Sequence, residues 1–173
     1  MMGSTMRQIL AVWMCFFVLT TQAAIPSDYA PVVVEAPFSL RERVFDLTPA
    51  IEVARKAGKP LFLYLGATDC PPCVEYKRFL SSHRSELKEA FSEFVVVDIR
   101  TWLRGPTMYL KVEDKRLTFN QFKTLVGDTS KTLVFPSFWM LSPELKQLKQ
   151  LPSGVKDYLN VNLHQDILKI PTH

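Results

Sequence analysis

The sequence predicts an α/β fold of three layers, a mixed central sheet with helices on both faces. Three observations point to it. Two nearly continuous apolar runs, residues 61–65 and 94–99, have the character of strands buried on both sides. A helix-like stretch separates them, which is the alternation expected of a parallel strand–helix–strand unit. After them come a hairpin-like segment over 138–151 and a closing stretch with apolar residues at helical spacing.

Taken in order, residues 24–39 are rich in Pro and small side chains and lead in extended, with Val32, Val33 and Val34 as a candidate edge strand. Thr48 and Pro49 pair a capping hydroxyl with a proline at the first helical position. Ile51, Ala54 and Ala57 then line one side of a short helix that Gly58-Lys59-Pro60 stops. The strand 61–65 follows, then a helix from Pro71 to Ser82 and a second helical piece, 84–91, with Leu87 and Phe91 on one face. Residues 94–99 form the next strand. Between 100 and 130 the pattern is weaker: 108–112 reads as a short strand and 117–126 as a helix closed by Gly127. Pro136 precedes a strand at 138–141, Ser142-Pro143-Glu144 a turn, and 145–151 its partner. The last helix is expected over 155–169, with Val155, Leu159, Leu163 and Ile167 facing the sheet.

The first 23 residues have the layout of a secretory signal peptide. Arg7 is the one charge, residues 9–19 are apolar, and Thr21 and Ala23 are the small residues of a cut after Ala23. Eleven apolar residues fall short of the roughly 20 that span a bilayer, so removal is expected rather than retention as an anchor. Cys15 lacks small residues just before it, which argues against a lipid-modified start. Residues 24–46 are then an N-terminal extension and 47–170 a single domain, with an exported, periplasmic location. Without Arg7, 20 Lys and Arg face 17 Asp and Glu, a net charge of +3 instead of +4. With bases and acids interspersed and no basic tract, no nucleic-acid partner is expected. No dimerisation element is visible, so a monomer is expected.

Only Cys70 and Cys73 remain after the leader, so a disulfide-dense scaffold is excluded. A disulfide closing so small a loop adds comparatively little by chain entropy, a hint that the pair is there for chemistry. In Cys70-Pro71-Pro72-Cys73 the helix begins on the pair. Prolines in its first turn remove amides that have no intrahelical acceptor anyway. Cys70, near the N-cap, is expected partly exposed, with its sulfur over unpaired N–H groups that favour a thiolate. Cys73, one turn further in, is expected to be shielded. The roles follow: Cys70 attacks a substrate disulfide and Cys73 resolves the mixed disulfide. Rival readings are a structural staple, a copper-handling dithiol, or half of a zinc site. For zinc only His83, His164 and His173 remain, in no recognisable ligand spacing. Haem attachment needs a histidine where Val74 stands. No cofactor or metal is expected.

At this point the chain resembles the thioredoxin-like superfamily, specifically its exported bacterial members. The likeness spans roughly 47–169 and rests on the apolar strand, CPPC opening a helix, the strand 94–99, and Phe135-Pro136-Ser137-Phe138. The resemblance implies a thioredoxin-like fold in which Pro136 is cis and stacks against the disulfide, while Phe135 offers backbone hydrogen bonds to bound peptide. It implies thiol–disulfide exchange on disulfide-containing exported proteins, most naturally as a reductase recharged by a membrane electron donor. Oxidase or isomerase action, and a non-catalytic binding or copper-handling role, are the alternatives. Some residues depart from the family. Asp69 stands where Trp is usual, and an anion beside Cys70 opposes thiolate formation unless it turns away to cap the helix. Tyr64 replaces a buried carboxylate six residues before the first cysteine, and Glu75 is an imperfect substitute, more simply a solvent-facing charge. Trp102 and Trp139 are expected as core or rim residues, and His83 as a solvent-facing turn residue.

Overall fold

The computed structural model describes residues 24–130 and 132–170. The expected leader with its cut after Ala23, and His173, lie outside the described residues. A five-stranded sheet forms the middle layer, in the order β1 (Val32–Glu35), β4 (Val95–Thr101), β3 (Leu61–Ala67), β7 (Ser137–Leu141), β8 (Gln147–Lys149). β1, β4 and β3 run parallel, whereas β7 and β8 are antiparallel to their neighbours. The mixed sheet has helices on both faces, as expected.

Alternation along β3 explains why its sequence is apolar throughout. Leu61, Leu63 and Leu65 enter one core with Ala50, Ile51 and Ala54 of α1 (Thr48–Ala57) and Phe122 and Val126 of α4 (Phe119–Val126). Phe62 and Tyr64 enter the other core. They meet Tyr76 and Leu80 of α2 (Pro71–Ser82), Leu87 and Phe91 of α3 (Arg84–Ser92), and Leu168 of α5 (Val161–Leu168). A strand buried on both faces has no polar face to show.

A second sheet of three strands, β2 (Glu42–Asp46), β5 (Thr107–Val112) and β6 (Lys115–Thr118), packs on the α1/α4 side through Phe45 and Leu110. Of these, only β5 was expected from the sequence. β2 alternates inward Arg43 and Phe45 with half-buried neighbours, and a buried arginine disguises the period. Cross-strand ion pairs, Arg116 with Glu42 and Lys111 with Asp46, both at 2.8 Å, belong to the same sheet.

Several local expectations are corrected. Leu47 occupies the N-cap of α1, and Thr48 turns its hydroxyl to accept the Glu113 N–H at 2.9 Å. Ala57 is exposed. Leu117 belongs to β6, and Thr118 starts α4 with a reciprocal capping box to Gln121. β8 is three residues long because Leu145, at φ 63°, ends the turn in the left-handed region. The closing helix is broken: a 3-10 turn, Lys156–Leu159, precedes α5, whose N-cap Asn160 accepts the Leu163 N–H at 3.1 Å. That break rotates the inward face to Tyr158, His164 and Leu168, leaving Leu163 49% exposed. Asn competes with the helical backbone through its own side chain, so it caps rather than continues the helix.

Candidate active site

β3 delivers the chain to the site. Its end is fastened to β4 by Thr68 N–H to Thr101 O at 2.9 Å, and Cys70 N–H bonds back to Ala67 O at 3.4 Å. Cys70 is then the extended N-cap of α2, with Pro71 and Pro72 exposed in the first turn. The prolines pre-set the helical φ where no bonded N–H is lost. Cys70 and Cys73 form a disulfide across this turn, their Cα atoms 5.2 Å apart. Cys70 Sγ also accepts the Cys73 N–H at 3.3 Å, the one amide that Pro71 and Pro72 leave in the first turn, at the positive end of α2.

Cys73 is fully buried, as expected, but Cys70 is only 3% exposed rather than open. The closed disulfide turns its sulfur inward, and Phe135 packs against the pair together with Ala67. A shallow groove nonetheless reaches Cys70 between Asp69, Pro71, Pro72 and Val74.

The second wall is the loop before β7. Phe135–Pro136 is a cis peptide bond, and Pro136 is buried. Phe135 O lies 3.7 Å from Cys70 Sγ. That is a contact while the disulfide is closed, and an acceptor for an S–H once it opens. The Ser137 hydroxyl bonds Val134 O. Deeper in, Asp128 accepts from Trp139 Nε1 at 2.9 Å, Ser130 N at 2.7 Å and Gln150 Nε2 at 3.3 Å, linking this loop to β7 and the chain beyond β8. Burial works to raise the Asp128 carboxyl, but these hydrogen bonds outweigh it and hold the group below the usual carboxylate range.

The departures from the family pattern are resolved in particular ways. Asp69 does turn away, but not to cap α2: its Oδ1 accepts Leu103 N–H at 2.7 Å from the loop after β4. Glu75 is exposed on α2, Trp102 sits at the rim and Trp139 in the core. His83 keeps about a third of its side chain exposed while its ring packs edge-on against Phe79. Tyr64 is fully buried, stacked on Tyr76 at 5.3 Å, and its hydroxyl finds no partner among the described residues. Burial, reinforced by the charge of Asp98, pushes its ionisation far up, so it stays a neutral phenol.

Two charged residues beneath the site escaped the sequence reading. Asp98 lies opposite Tyr64 in the β3/β4 register, and Lys77 comes from α2, one turn after Cys73. Both are buried, with Lys77 Nζ 3.9 Å from Asp98 Oδ1. Asp98 Oδ2 accepts from Arg100 Nε at 2.8 Å and Ile25 N at 3.2 Å. The available signal was Asp98 itself, a lone charge inside the apolar run 94–99. His164, weighed only as a zinc ligand, is instead enclosed by Phe62, Tyr76, Phe79, Phe91 and Tyr158, with Nε2 3.0 Å from Tyr76 Oη. Among the described residues no group of three or more His, Cys, Asp or Glu could hold a metal ion.

Fold and site together define a protein with a CxxC disulfide at the start of a helix, beside a cis-proline loop, a setting consistent with thiol–disulfide exchange. The family model described as Thioredoxin-like matches residues 43–143, a span that includes Cys70, Cys73, Phe135 and Pro136, and the chain belongs to that family. No curated protein and no solved structure matches the chain.

Proposed function

We propose that this chain is an exported thiol–disulfide oxidoreductase that reduces disulfides in other exported proteins. The observation that carries the reading is the position of Cys70: its sulfur receives an N–H of the α2 N-terminus, which lowers the energy of a thiolate there relative to free cysteine. In the reduced protein the Cys70 thiolate attacks a substrate disulfide, forming a mixed disulfide and releasing one substrate thiolate. Cys73 then gives up its proton and attacks Cys70 Sγ. The Cys70–Cys73 disulfide forms, and the second substrate sulfur leaves. Two electrons pass to the substrate, and a dithiol carrier in the membrane restores the reduced pair. Phe135 and Pro136 form the wall against which the substrate chain lies. The apolar stretch 9–19 and the small residues before Ala24 support export to the periplasm, with the protein acting as a monomer.

The test is reduction of insulin disulfides with dithiothreitol as electron source. Wild type is expected to be active, Cys70→Ser inactive, and Cys73→Ser to accumulate mixed disulfides with exported proteins. A Cys70–Cys73 potential near or below about −250 mV supports a reductant, and one near about −120 mV an oxidant. If Cys73→Ser traps nothing and the wild type instead binds one Cu(I) per chain, the catalytic reading is wrong.

A further inference from the structure

The loop that ends in Phe135 and Pro136 brings the Phe135 carbonyl to Cys70, yet among the described residues no backbone group of 129–136 bonds to another backbone group. Side chains hold the loop instead. Asp128, at its start, takes three donors on two oxygens. Oδ1 accepts the Ser130 N–H at 2.7 Å, which bends the loop, and Gln150 Nε2 at 3.3 Å. Oδ2 accepts Trp139 Nε1 at 2.9 Å. The side-chain donors are themselves fixed. Trp139 is buried on β7 against Phe119 and Phe122. Gln150 is oriented by Gln147, whose Nε2 donates to Gln150 Oε1 at 2.8 Å. At the far end of the loop the Ser137 hydroxyl donates to Val134 O. The clasp draws the loop so close that the cavity left between Asp128, Pro136, Trp139 and Gln150 has only about 20 Å³.

What the clasp positions is an acceptor. Phe135 O lies 3.7 Å from Cys70 Sγ, a sulfur that also receives the Cys73 N–H at 3.3 Å. In the reduced protein these two contacts act in opposite directions. The amide stabilises a thiolate, whereas a carbonyl oxygen accepts an S–H and repels a negative sulfur. The charged groups around Cys70 are Asp69, Glu75 and Arg78, which line the groove that reaches it, and the Lys77–Asp98 pair beneath the site. Resting on the disulfide-exchange reading above, we infer that Asp128 is a positioning residue: through Trp139, Ser130 and Gln150 it holds the Phe135 carbonyl against Cys70, which keeps that cysteine more protonated than the α2 N-terminus alone would leave it. Cys70 loses this proton to solvent before it attacks a disulfide, and the clasp sets the pH at which it does so.

The experiment follows the pH dependence of iodoacetamide alkylation at Cys70 in the reduced protein, with the modified cysteine located by mass spectrometry and urea midpoints measured alongside. Wild type is compared with Asp128→Ala, Asp128→Asn, Trp139→Phe and Asn160→Ala. Asp128→Ala is expected to lower the alkylation midpoint, the acid constant of Cys70 rising about fivefold, the scale of one neutral hydrogen bond. Trp139→Phe keeps the carboxylate and an aromatic ring but removes one donor, and should move the midpoint the same way by a smaller step. Asp128→Asn, with one acceptor oxygen in place of two, should fall between wild type and Asp128→Ala. Asn160→Ala, which unfastens α5 away from the loop, should lower the urea midpoint and leave the alkylation midpoint alone. The inference is overturned if Asp128→Ala lowers stability while the alkylation midpoint stays or rises, or if Asn160→Ala moves that midpoint as far. It is also overturned if both Asp128 variants move the midpoint equally and Trp139→Phe does not, since charge alone would then be acting. Should Asp128→Ala not fold, Trp139→Phe against wild type decides. Alkylation needs no substrate protein, so failure of wild type to reduce insulin overturns the proposed function and leaves the clasp standing.

Discussion

At the scale of single residues, His164 shows how a buried polar group couples the fold to pH. Burial pushes its pKa down to about 4, and its Nδ1 has no partner among the described residues. The folded-state value lies below the ordinary value of 6.5, so between the two the unfolded chain binds more protons than the folded one. The stability His164 lends is therefore complete above about pH 6.5 and lost as pH falls towards about 4, by up to about 3 kcal/mol. Urea midpoints measured from pH 7 to pH 4.5 should fall, and His164→Phe should flatten that slope while keeping the aromatic packing. An equally steep slope in the variant would assign the acid sensitivity elsewhere. Lys77 and Asp98 follow another logic. Burial lowers the lysine, the aspartate opposes that, and the pair is held at a separation too long for a direct hydrogen bond.

At the scale of elements, the strongest devices are caps. Gly58 and Gly127, at φ 62° and 81°, end α1 and α4 in the left-handed region, where a side chain would be strained. Asn160 starts α5 with a single side-chain acceptor, and α5 in turn places His164 and Leu168 against α2 and α3. Asn160→Ala should cost about 1 kcal/mol in chemical denaturation, with the loss concentrated in faster amide exchange along 161–168. A uniform loss across the protein would mean that the cap is not local to α5. These elements also mark what the sequence could tell. β3, β4 and α2 were legible because each is governed by one strong local signal, an apolar run that only Asp98 interrupts before Arg100 or prolines opening a helix. Of the small sheet only β5 was legible; β2 was not, because its inward positions include Arg43, whose burial is tolerated only through partners 58 to 63 residues away in the chain. The inward face of α5 was misread for a related reason. The repeat of Val155, Leu159, Leu163 and Ile167 suggested one continuous helix; Val155 and Ile167 do pack on the core, but Leu163 faces water and the tertiary aromatic pocket takes His164 instead.

On the scale of the whole molecule, the segment before β1 is part of the core rather than a lead-in. Ile25 and Tyr29 are buried in the α2/α3/α5 core, the Tyr29 ring lies 4.8 Å from that of Phe91, and its hydroxyl bonds Leu80 O at 2.9 Å. Tyr29→Ala should destabilise the protein by about 3 kcal/mol, read as a lower denaturant midpoint with unchanged slope. A loss below about 1 kcal/mol would show that the segment is only loosely attached. Of the candidate site, the cysteines were legible as a motif, and the cis Phe135–Pro136 bond only through the family resemblance. The contact of Asp69 with Leu103 was not, since nothing local in the chain links positions 34 residues apart.

The hydrogen bond from Trp139 Nε1 to Asp128 has an optical consequence. Trp139 is enclosed and anchored to a carboxylate, whereas Trp102 stands in water on the loop beside the disulfide. Among the described residues these are the two indoles, and they should emit at separate wavelengths, the enclosed one bluer and the wet one redder. One fluorescence spectrum of the protein freed of residues 1–23, and with them of Trp13, therefore carries two channels, the first following global unfolding and the second following the loop after β4.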